Sequence, residues 1–80
     1  MNLFDNIDNA PEQFVLEGTV DSITFQSDDS GYTVARIDTG SELITAVGYM
    51  PGIVESEYVK MTGNWEKHSV YGDQFKVLSI

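Results

Sequence analysis

Between Tyr58 and Lys67 the chain alternates with a period of two. Val59, Met61, Gly63 and Trp65 fall on one side, and Lys60, Thr62, Asn64 and Glu66 fall on the other. Successive side chains of a β-strand point to opposite faces, so this pattern predicts a strand with one buried face. Nowhere does helical spacing persist over the roughly 11–18 residues that an amphipathic helix needs. From Phe14 onwards, Gly or Pro turn signals punctuate short apolar runs, which predicts a small all-β sandwich or barrel.

Five strands follow from this punctuation. The first covers residues 14–25. Leu16, Gly18 and Val20 share one parity while Ile23 and Phe25 share the other, so a bulge near Asp21–Ser22 is required if both sets are to face one core. Gly18 marks a bend or a close approach of backbone. Residues 26–31 form an Asp/Ser/Gly turn. The second strand covers 32–38, a short hairpin loop 39–42 and the third strand 43–48. Pro51 and Gly52 then signal a tight turn, with loop to residue 57. The fourth strand is 58–67, the loop 68–73, and the last strand 74–80, with Phe75 and Val77 inward and Lys76 outward. A long, bent first strand serving two sheets suits a small closed barrel. The predicted fold is therefore an all-β, five-stranded OB-like barrel over residues 14–80, with an SH3-like barrel as the alternative that strand count and length also fit. Residues 1–13 read as a loose N-terminal arm in which Leu3, Phe4 and Ile7 have the spacing of one docking turn. The last strand ends with the chain, which suggests a module of a longer protein.

Charge restricts function more sharply than size does. Thirteen acidic residues face four basic ones, a net charge of -9 in 80 residues. This argues against tight stand-alone binding to nucleic acid or to an anionic membrane. The chain has no cysteine and one histidine, His68, so thiol chemistry, a disulfide and a histidine-based metal cluster are excluded. Asp28 and Asp29 before Gly31 lack the ligand spacing of a calcium loop and read as a solvated turn. No phosphate-cradling Gly-x-x-x-x-Gly-Lys-[Ser/Thr] occurs, since none of Lys60, Lys67 and Lys76 directly follows a glycine. The chain is expected to be non-catalytic, without cofactor or metal of its own. With no basic start, no apolar leader and no apolar run of membrane-spanning length, it is expected to be cytoplasmic, with no membrane partner.

Five segments, taken in order, carry a resemblance. They are Leu16-Glu17-Gly18-Thr19-Val20, Gly31-Tyr32-Thr33-Val34-Ala35-Arg36, Val47-Gly48-Tyr49-Met50-Pro51-Gly52, Thr62-Gly63-Asn64-Trp65 and Tyr71-Gly72-Asp73-Gln74-Phe75-Lys76. Together they resemble the N-terminal OB-like domain of RecD-like ATP-dependent DNA helicases, relatives of the exodeoxyribonuclease V alpha subunit. The resemblance implies a parent enzyme of DNA repair and recombination that unwinds duplex DNA in the 5′-to-3′ sense. It implies ATP and magnesium as the parent's cofactors, and motor domains of the same chain as the partner of this one.

Single-stranded DNA is the second partner expected, held weakly. The residues that could contact it are the aromatics Tyr32, Tyr49 and Tyr71 and the cations Arg36, Lys60, Lys67 and Lys76. Aromatic faces stack bases and cations meet phosphates. Tyr71 has the plainer reading of hairpin packing, and Glu66, on the same face of its strand as Lys60, dilutes any stripe formed by Lys60, Lys67 and Lys76. Trp65 reads first as core, with a base-stacking platform as its alternative. Even if all four cations met phosphates, the salt slope would reach only about -3. Affinity below the ~10⁻⁴–10⁻⁶ M of non-specific binders is expected. The competing function is an acidic protein–protein interaction module with no nucleic-acid role.

Overall fold

A computed structural model describes residues 13–68 and 72–80. It contains five strands: β1 (Phe14–Gln26), β2 (Tyr32–Asp38), β3 (Leu43–Tyr49), β4 (Tyr58–His68) and β5 (Gly72–Ser79). They close into a barrel in the order β1-β2-β3-β5-β4, with β4 returning to β1. All pairs are antiparallel except β3 with β5. That crossover closure is the OB arrangement, and it decides between the two barrels that strand count alone left open. The expected arm lies outside the described residues, apart from Gln13.

β1 does what a long leader strand must. Its first half pairs with β4, from Phe14 opposite Gly63 to Thr19 opposite Tyr58, and its second half pairs with β2. The expected parity switch falls between Val20 and Ser22, where Asp21 is the extra residue of a bulge. The loop before β4 grips this point. Val20 N–H donates to the Glu57 carbonyl and Ser56 N–H donates to the Val20 carbonyl, both at 2.8 Å.

A second register shift follows between Ile23 and Phe25, with Thr24 as its extra residue. It corrects the expectation for Phe25. Ile23 still packs against the core, but the second shift sets Phe25 opposite Val34, on the outer face of β2, and 53% of its surface is exposed.

The core joins Leu16 and Val20 of β1, Ala35 and Ile37 of β2, Ala46 of β3, Val59 and Met61 of β4, and Phe75 and Val77 of β5. Met50 and Ile53, expected as loop, are buried in the same cluster. The β3–β4 connection therefore supplies two side chains to the barrel interior. Gly18 is buried where β1 crosses β2 closely, and a Cβ there would run into the Asp38 carbonyl.

Trp65 departs from its first reading. It keeps the inward parity of β4, yet it is 44% exposed. The core position opposite it belongs to the buried Phe75, and the indole stands edge-on to that ring at 5.1 Å and 79°. The core layer ends at Phe75, and Trp65 covers it from the rim.

Candidate nucleic-acid interface

The outer face of β2 and β3 gathers three of the expected contact residues. Inward positions on β2 are Thr33, Ala35 and Ile37, so Tyr32, Val34 and Arg36 share the outside. On β3 the facing residues are Tyr49 opposite Tyr32, Val47 opposite Val34, and Thr45 opposite Arg36. The two tyrosines are 45% and 68% exposed. Both rings are thus open to solvent on paired strands, and exposed aromatic faces are what single-strand stacking sites use.

Local backbone chemistry holds this end in place. Gly31 has φ +78, and a Cβ there would lie 2.6 Å from Tyr49 Cε1, so the ring lies against bare backbone that only glycine provides. Met50 N–H donates to the Gly31 carbonyl at 3.1 Å. The buried Thr33 hydroxyl lies 3.1 Å from the Gly31 carbonyl and 3.3 Å from that of Met50. The end of β3 is thus tied to the start of β2. Phe25 extends the aromatic surface onto β1, its ring 6.3 Å from that of Tyr32 and tilted by 56°.

Beside these rings runs an open groove of about 470 Å³. Its walls are Thr24 of β1; Tyr32, Val34 and Arg36 of β2; Thr45 and Val47 of β3; and Gln74 of β5. Among the described residues one cation lines it and no carboxylate does. In a chain of net charge -9 that is a local exception. The Thr24 hydroxyl is already engaged, donating to the Val34 carbonyl at 3.1 Å. Thr24, Thr45, Gln74 and Phe25 were missed as site residues. Outward parity on β3 and β5 marked Thr45 and Gln74, but only the β3–β5 crossover brings them side by side.

The lysines do not join this face as a stripe. Lys76 lies opposite Val47 on β5, and its Nζ is 3.8 Å from a Glu66 carboxylate oxygen, both side chains being exposed. Seven residues apart on one strand, Lys60 and Lys67 fall on opposite parities. Lys60 pairs in register with Glu17 on the far side of the barrel, and Lys67 pairs with Asp73. Tyr71 lies outside the described residues.

The far side is acidic. Tyr58 OH donates to Glu17 Oε2 at 3.3 Å. The Glu17 charge holds the Tyr58 phenol above its ordinary value, and desolvation and that hydrogen bond push in the same direction. Glu55 accepts from Ile23 N–H and Glu57 from Val54 N–H, so both carboxylates brace the loop before β4.

A sequence-family model for the OB-fold domain of the ATP-dependent DNA helicase YrrC matches residues 13–80. The chain belongs to this family. The YrrC-type OB domain begins its match one residue before β1 and takes in all five strands. No curated protein and no solved structure matches the chain. Among the described residues of this OB domain, no group of three or more His, Cys, Asp or Glu side chains could hold a metal ion. Among the described residues no helix is long and apolar enough to cross a membrane.

Proposed function

We propose that this OB domain is a non-catalytic accessory module of a 5′-to-3′ ATP-dependent DNA helicase of the RecD-like kind, and that its outer β2–β3 face guides single-stranded DNA weakly. The motor domains of the same protein are its partner. ATP and magnesium belong to them, and the whole acts in the cytoplasm on DNA under repair or recombination. The observation that carries this reading is the placement of Tyr32 and Arg36 along one groove that no carboxylate of the described residues lines, with Tyr49 opposite Tyr32 on the neighbouring strand. Stacking is sequence-tolerant because every base has a π-face, and it works without a dense row of cations. Weak contact suits guidance, since a strand that must move through a motor has to be released at every step.

Fluorescence anisotropy of labelled oligothymidylate tests the reading. Binding is expected at low salt, with a Kd at or above the weak end of the ~10⁻⁴–10⁻⁶ M range. Arg36, the one cation that lines the groove, sets a shallow salt slope of about -0.7. Blunt duplex of equal length should bind less well, because its bases are not free to stack. Absence of any binding at millimolar protein would refute the guidance role, and a slope of about -3 or steeper would show a cationic track in place of a stacking site.

A further inference from the structure

The groove is not uniform along its length. Near the β1–β2 turn its wall is the Tyr32 ring, and its middle is the valine pair Val34 and Val47. At its other end stand Arg36, Thr45 and Gln74. The β3–β5 ladder starts at Ala46 opposite Phe75, so Thr45 and Gln74 sit one step before the first paired residues. Tyr32 and Arg36 are four residues apart on one strand, about 13 Å at strand rise. The groove thus offers an apolar bed for a flat ring and a polar end for the edge of that ring.

Arg36 is the group that needs a partner. Among the described residues it makes no ion pair, and no carboxylate lines the groove. A phosphate would bring a full negative charge to a chain of net charge -9, with one guanidinium to offset the repulsion. A neutral pair of acceptors meets no such opposition, and the guanidinium fork matches two adjacent acceptors geometrically. Guanine presents such a pair, O6 and N7, on one edge. Cytosine also has two adjacent acceptors, O2 and N3, but its single ring covers less of Tyr32 and of the valine bed.

We propose that this groove reads a guanine in the guided strand, Arg36 donating its fork to O6 and N7 while the purine lies on Tyr32, Val34 and Val47. Thr45 and Gln74 add a hydroxyl and an amide beside the same base. The inference rests on the single-strand reading above and makes that strand's sequence matter at one position.

The test compares labelled oligothymidylate with the same strand carrying one central guanine, one cytosine or one 7-deazaguanine, each titrated with the 80-residue chain. A single guanine avoids quadruplex formation. The guanine strand should bind about tenfold tighter than oligothymidylate, within what a bidentate arginine–guanine pair supplies. The 7-deaza strand, lacking the N7 acceptor, should lose most of that gain. Arg36→Lys keeps the charge and loses the fork, so the ratio of guanine-strand to oligothymidylate affinity should fall to about one, whatever the variant does to oligothymidylate binding itself. Equal affinity for oligothymidylate and the guanine strand overturns the inference while leaving the guidance role intact. A cytosine strand that binds best, or a guanine preference that survives in Arg36→Lys, also overturns it. Failure of every strand to bind removes the guidance role and the inference together.

Discussion

Tyr32 and Tyr49 stand directly opposite each other on adjacent strands, both on the outside of the barrel. Facing residues of an antiparallel pair hold their Cβ atoms roughly 4.5–5.5 Å apart, so the two side chains leave the barrel side by side. Neither ring is needed to fill the core, and the Tyr49 ring lies along the bare backbone of Gly31.

This arrangement predicts a separation of binding from stability. Tyr32→Ala and Tyr49→Ala should each weaken oligothymidylate binding by about 1–3 kcal/mol. Thermal unfolding should change by little more than the ~0.5 kcal/mol usual for surface sites. A variant that melts early and binds normally would make the tyrosines structural.

Gly18 gives the opposite pattern. Its missing Cβ lets β1 cross close to the Asp38 carbonyl. Gly18→Ala must push backbone apart, and overpacking of this kind costs about 1–3 kcal/mol. Urea denaturation should show the midpoint falling with an unchanged m-value, while DNA affinity per folded molecule stays constant.

Trp65 and Phe75 should differ in proportion to their burial. Phe75 is fully buried, so Phe75→Ala is expected to cost about 3–5 kcal/mol. Trp65 keeps much of its surface in water, and Trp65→Ala should cost about 1–2 kcal/mol, mostly the edge-on ring pair with the area it covers. Equal losses in denaturant melts would place Trp65 in the core after all.

Tyr58 supplies a pH signature. Its phenol is raised by Glu17, so the folded state holds this proton more tightly than the unfolded chain does. The corresponding stability is fully present below the ordinary tyrosine range and is lost as pH rises through the raised folded value. Glu17→Gln should shift the Tyr58 titration downwards, read by phenolate absorbance against a Tyr58→Phe blank. An unmoved titration would mean that the carboxylate does not govern the phenol.

Much of the barrel was legible because its signals are local. The alternation from Val59 to Trp65 fixed a strand and its inward face, and the parity conflict between Val20 and Ile23 demanded a bulge where one occurs. Phe25 was misplaced because a second bulge, at Thr24, leaves no mark in an apolar pattern that already tolerates one. Met50 and Ile53 sit in a stretch with turn chemistry, and their burial depends on the barrel interior having room for them. Tyr32, Arg36 and Tyr49 were visible as residue types that touch nucleic acid. The groove was not, since it needs Gln74 of β5 to lie beside Thr45 of β3, a non-local consequence of the crossover. Thirteen acids describe the chain as a whole, but none of those among the described residues lines this groove.

If this strongly acidic OB domain takes single-stranded DNA into the groove beside Tyr32, amide chemical-shift mapping with oligothymidylate at low salt will show shifts concentrated at Tyr32, Val34, Arg36, Thr45, Val47 and Gln74, with Lys60 and Lys67 unmoved. Shifts centred on Lys60 and Lys67, with the β2–β3 face silent, would put the DNA on another part of the barrel.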